Sequence, residues 1–166
     1  MSDAVDSFLA QWQRERPEMD ASPMGVVGRL ARVSRLVERE IGDYFAGEGM
    51  EGWEFDVLAT LRRAGRPYTL TPKALVARTM VGSAAMTNRV DRLVTKGLVT
   101  RETDPANRRS ILISLTDTGY EAVENVIDGH VANAARLMDG FAPAERTELN
   151  RLLRKLSISL GDRAAE

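Results

Sequence analysis

The 166-residue sequence contains no cysteine. That excludes disulfides, thiolate metal sites and cysteine-based redox sensing. Its single histidine, His130, cannot build a metal cage alone and reads as an ordinary residue on a helix surface. Aromatic residues make up only 5% of the chain. Strand-rich stretches are few, so the many Ala, Leu, Arg and Glu residues lean the reading toward helix. No apolar run approaches the length of a membrane span. The opening Met1-Ser2-Asp3 lacks the basic and apolar regions of a signal peptide. The expectation is a cytoplasmic protein with no membrane partner. A nucleophile–base pairing, a phosphate loop and a cluster of metal ligands are also missing, so neither an enzyme nor a cofactor is expected.

What is present is an island of positive charge. From Leu70 to Leu115 there are eight cations (Lys73, Arg78, Arg89, Arg92, Lys96, Arg101, Arg108 and Arg109) against Asp91, Glu102 and Asp104. That is a local excess of five in a chain whose net charge is -1. A basic segment in an otherwise acidic protein is the electrostatic footprint of a nucleic-acid-binding module carried on a scaffold. The overall pI near 6.0 hides it.

The periodicity places elements around this island. Val5, Phe8, Leu9 and Trp12 form the stripe of an amphipathic helix over Ala4 to Arg16, broken by Pro17 and the run through Pro23. A longer helix follows from about Met24 to Ala46, and a third from Trp53 to Ala64, closed by Gly65. Thr71 caps a short helix that has Pro72 at its first position and runs through Thr79. Val81-Gly82 is the turn, and Ser83 can cap a helix to Lys96, stopped by Gly97. Met86, Val90, Leu93 and Val94 are its inward stripe; Ser83, Ala84, Thr87, Asn88, Asp91 and Arg92 lie opposite. Strands over Leu98–Thr103 and Arg109–Leu115 flank a loop of residues 104–108, and two helices close the chain from Thr116 and from Pro143.

Helix, turn, helix and then a hairpin tipped with arginines is a winged helix-turn-helix. The expected fold class is therefore mainly α, with residues 67–115 as a DNA-binding lobe and 1–66 and 116–166 as scaffold and dimerisation helices. A helix of this size fits the major groove, where a short polar face touches base edges. Ser83, Thr87, Asn88 and Arg92 are the candidates for that face, and Arg108 and Arg109 for the minor groove or its phosphates. The plainer alternative, two packed helices of an α-bundle, does not explain the hairpin or the local charge.

These residues resemble the MarR family of bacterial transcription regulators over nearly the whole chain. The likeness rests on Phe55-Asp56-Val57-Leu58, Leu70-Thr71-Pro72, Met86 to Leu93, Lys96-Gly97-Leu98-Val99, and Arg108-Arg109-Ser110 leading to Leu115-Thr116. The resemblance implies a homodimer with intertwined chain ends, whose two recognition helices enter successive major grooves of a palindromic operator. The family's wing carries Asp-x-Arg; here the matching positions are Asn107 and Arg109. The orienting aspartate is absent, and Asp104 is the carboxylate left to take its part.

Trp12 in an added N-terminal helix, followed by Arg16-Pro17, further resembles the urate-responsive branch of that family. Carried over residue by residue, that resemblance implies a ligand site of Trp12, Asp56, Arg89 and Arg101. The chemistry is consistent with it. Asp56 interrupts an apolar run and needs a partner if buried, and Arg89 sits at the edge of the inward stripe. An indole, a guanidinium and a carboxylate suit a flat, anionic heterocycle. The alternatives are an Asp56–Arg89 ion pair with Trp12 in a dimer core, a regulator of a phenolic or other aromatic ligand, and an architectural DNA binder without an effector.

Overall fold

The computed structural model describes residues 2–79 and 85–162. The order of elements is α1 (Ala4–Glu15), α2 (Ser22–Gly47), α3 (Gly52–Arg63), β1 (Thr69–Leu70), α4 (Pro72–Arg78), α5 (Met86–Thr95), β2 (Val99–Asp104), β3 (Asn107–Leu115), α6 (Asp117–Leu137) and α7 (Pro143–Ser159). None of these helices is long and apolar enough to cross a membrane. The chain divides into two compact units, Met1–Asp43 and Tyr44–Glu166.

In the first unit, Asp3 caps α1 by accepting from the Val5 and Asp6 amides at 2.9 and 3.0 Å. Arg29 of α2 donates to the same carboxylate at 2.8 Å and also bonds Asp6. Val5 is buried, and the helices close where side chains are missing: a Cβ on Gly25 would stand 3.0 Å from Leu9. Much apolar surface is left open. Phe8, Trp12, Met24, Val26, Val27, Val33 and Leu36 are all exposed.

The second unit is built on α3. Leu58 and Leu61 are fully buried, with Phe45, Leu75, Leu93, Val99, Ile113 and Val123 around them. Gly65 ends α3 with a positive φ of 80°, a backbone shape that glycine adopts without steric cost. Thr71 caps α4 as its sequence requires, its hydroxyl accepting from the Ala74 amide at 3.2 Å, with Pro72 at the first turn. Gly97 stops α5 at φ 71°. Ser83 and the Val81-Gly82 turn lie outside the described residues, so the described part of α5 begins at Met86. Of its expected inward stripe, Met86, Val90 and Leu93 are buried, whereas Val94 is 40% exposed. Val94 falls off the buried side of the helix, which Met86, Val90 and Leu93 define at i, i+4 and i+7.

The sheet is antiparallel in the order β1-β3-β2. The first strand was not visible in the sequence, because two residues show no alternation. It pairs Leu70 with Ile113, and the Thr69 and Ser114 hydroxyls meet at 2.7 Å. The hairpin is tighter than the expected five-residue loop: Asp104 faces Asn107 across Pro105-Ala106, with a register shift at Thr103/Asp104. Thr116 joins the sheet to α6. Its hydroxyl donates to the Gly97 carbonyl at 2.8 Å and accepts from the Gly119 amide at 3.0 Å.

His130 corrects the sequence reading. It is not a plain surface residue but stacks on Phe45 and lies against Phe55, both with ring centres 5.0 Å away. Its Nδ1 is buried without a hydrogen-bond partner, and burial pushes the imidazole pKa down. No residue of α7 is buried, and Leu152, Leu153, Leu156, Ile158 and Leu160 are exposed.

Candidate nucleic-acid interface

The described part of α5 presents Thr87, Asn88, Asp91, Arg92 and Thr95 to solvent, the polar face expected of it. Two ion pairs flank this face. On the wing side, Arg101 of β2 donates to Asp91 at 2.9 Å. On the other side, Arg92 donates to Glu51 at 2.7 Å, while its guanidinium lies 4.7 Å from the centre of the Trp53 ring. Trp53 Nε1 donates in turn to the second oxygen of Glu51 at 2.6 Å. The indole N–H and then the Arg92 guanidinium hold the Glu51 carboxyl below the usual carboxylate range.

At the C-terminal cap of α5, Lys96 reaches Glu54 of α3 at 2.6 Å. Glu54 is 1% exposed, while Lys96 keeps close to half of its side chain in water. Glu54 also accepts from the Glu51 amide at 3.2 Å. A buried carboxylate needs such partners. Sequence reasoning had singled out Asp56 as the interrupting acid, but Asp56 is only half-buried on α3, where its carbonyl accepts from the Thr60 hydroxyl at 2.7 Å. The acid enclosed in the core is Glu54. Its helical phase with Leu58 and Leu61, at i+4 and i+7, was the signal that could have found it.

Arg108 and Arg109, at the tip of the wing, are exposed and have no ion pair among the described residues. Asp104 does not take the part of the missing wing aspartate. Its carboxylate closes the turn by accepting from the Ala106 amide at 2.8 Å, and it is the Asn107 side chain that accepts from the Arg109 amide at 3.2 Å. An amide oxygen can close such an Asx turn as a carboxylate does.

Arg89 is half-buried and turned toward α3, its guanidinium 5.6 Å from the Trp53 ring centre. Its Nη1 is buried with no hydrogen-bond partner. Arg101 has different surroundings. Beside its pair with Asp91 it lines a cavity of about 330 Å³ between α4, α5 and the sheet, with Lys73, Val76, Thr87, Val90 and Ile113. Trp12 lines a groove of about 370 Å³ within the first unit, with Phe8, Leu9, Met24, Arg32 and Arg35.

Across 149 residues the chain is 39% identical to the HTH-type transcriptional regulator PecS of Dickeya dadantii, covering 90% of each protein. The MarR family pattern matches residues 48–110, which run from α3 through the helix pair and into the wing. The chain belongs to the MarR family. Two solved structures are close in shape. BpsR of Bordetella bronchiseptica, whose DNA binding is regulated by 6-hydroxynicotinic acid, superposes with a TM-score of 0.70 at 28% identity, covering 79% of this chain and 92% of that one. A MarR variant of E. coli in complex with operator DNA gives 0.69 at 25% identity, covering 93% and 99%. As in these relatives, the winged helix-turn-helix is that of a DNA-binding transcription regulator, and the family is not one of enzymes.

Proposed function

We propose that this MarR-family protein is a repressor that binds a palindromic operator as a homodimer and is released by a small anionic ligand such as urate. Thr87, Asn88 and Arg92 would face the major groove together with Ser83, and Arg108 and Arg109 the minor groove. The exposed leucines of α7 and valines of α2 are the apolar surface that a second copy would cover. The observation that carries the ligand reading is Arg89. A guanidinium with a buried, unpartnered N–H on the recognition helix is a donor lacking its acceptor. An anion bound there would pull on the element that reads DNA. Couplings of this kind are typically about 1–3 kcal/mol, roughly 5- to 150-fold in affinity. Asp56 would serve as acceptor and Arg101 as second cation.

A second reading is favoured by the cavity under Arg101. Its apolar walls, with Arg101, Lys73 and Thr87 at hand, suit an aromatic carboxylate or phenol. The test is fluorescence anisotropy on the DNA just upstream of the gene, at fixed salt, with urate and then aromatic acids titrated in. Release by urate that Arg89→Ala blunts supports the first reading. Release by aromatic acids that Arg101→Ala blunts, with no response to urate, supports the second. Specific binding that nothing releases overturns both, and binding without sequence preference turns the assignment to an architectural protein.

A further inference from the structure

Arg92 of α5 and Lys96 at its C-terminal cap are held by Glu51 and Glu54, at the cap and in the first turn of α3. For Lys96 the partner is buried, and the pair reads as structural. Arg92 and Glu51 differ: their side chains are 49% and 53% exposed, and Arg92 shares an open surface with Asn88 and Thr95. A carboxylate and a phosphate offer a guanidinium the same fork of acceptor oxygens.

We infer that Glu51 is a built-in competitor for DNA, occupying on Arg92 the place a phosphate takes, and that Trp53 is the residue holding it there. This rests on the reading of α5 as the DNA-facing helix with Arg92 in contact. The geometry divides the roles. One oxygen of Glu51 accepts from Arg92 and the other from Trp53 Nε1, so the carboxylate cannot swing away from the arginine without losing the indole. The indole face also lies under the guanidinium, which therefore has two partners to leave before it can turn to DNA. Opening the pair lets Arg92 gain a phosphate while Glu51 keeps its indole hydrogen bond. Because the competition is with the backbone, it weakens binding to any DNA and so lowers non-specific retention.

The experiment uses the full chain and measures anisotropy on the upstream duplex and on a random duplex across a salt series. Glu51→Gln keeps the shape and the acceptor for Trp53 Nε1 but removes the charge. Binding to both duplexes should tighten roughly two- to fivefold, as loss of one exposed ion pair allows. The salt slope should steepen by about one unit, because Arg92 then gains a phosphate without giving up an anion. Trp53→Phe keeps a ring and loses the N–H, so it should move binding in the same direction and stands in if Glu51→Gln folds poorly. Arg92→Ala should weaken binding and abolish the effect of Glu51→Gln in the double variant. If Arg92→Ala weakens binding while Glu51→Gln leaves it unchanged or weakens it, the competitor role is overturned. If Arg92→Ala itself changes nothing, the reading of Arg92 fails and the inference with it. In a Trp12→Phe background, Trp53 emission should change when DNA is added. Loss of that change in Arg92→Ala agrees with the exchange, and its persistence there overturns it.

Discussion

A Cβ on Gly119 would stand 1.9 Å from the carbonyl oxygen of Leu98. The first turn of α6 is thus pressed against the backbone that leads into the wing, and the obstructing atom is not a side chain that could rotate aside. Gly119→Ala should lower stability by about 1–3 kcal/mol or more, measured by urea unfolding. Gly42→Ala, where a Cβ meets nothing, is the control and should be neutral or slightly stabilising.

Lys96 and Glu54 should respond unequally to substitution. Lys96→Met strands a carboxylate in the core, and about 2–3 kcal/mol should be lost. That is near the lower end for breaking a buried pair, since Lys96 is itself half exposed. Glu54→Gln leaves a neutral group that still accepts from the Glu51 amide, and the free lysine can extend into water. It should cost less, about 1 kcal/mol. Equal losses in denaturant melts would show that the burial of Glu54 does not set the energetics.

His130 gives the fold a dependence on mildly acid pH. Burial beside Phe45 and Phe55 holds its pKa below the ordinary value of 6.5, so the unfolded chain binds the proton more readily. The stability contributed is full above about pH 6.5 and is lost as pH falls through that value toward the lower folded pKa. The acids with lowered pKa, such as Asp3 and Glu51, lose theirs only at lower pH. Melting temperatures between about pH 5 and pH 8 should therefore fall on the acid side, and His130→Gln should flatten that limb.

Arg109→Ala should weaken DNA binding with little effect on folding, because the side chain is exposed and has no ion pair among the described residues. If it meets one phosphate, the slope of log affinity against log salt should become shallower by about one unit. An unchanged slope would place the wing tip away from the backbone.

The helices were legible because their signals are local. Pro17 follows α1, Thr71-Pro72 starts α4, and Gly65 and Gly97 stop α3 and α5 as read. The outward face of α5 from Thr87 to Arg92 also followed from helical phase. What escaped depends on residues far apart in sequence. His130 packs against Phe45 and Phe55, more than seventy positions earlier, and no periodicity within α6 announces them. The strand at Thr69–Leu70 exists only because β3 is there to pair with it. At the site, the positive surplus of residues 70–115 was counted without its neighbours. Glu51 and Glu54 lie outside that segment and neutralise Arg92 and Lys96, so part of that surplus is answered within the protein.

The single hydroxyl of Thr116 bonds both the end of α5, through Gly97, and the first turn of α6, through Gly119. It lies at the root of β3, one residue past Leu115. At about 3.4 Å per residue, Arg109 stands some 20 Å out along that strand. A tilt of only about five degrees at the root would sweep the arginine through roughly 2 Å, enough to make or break a hydrogen bond. The wing is pinned at its root by one threonine, so any small change of angle there is magnified at its tip.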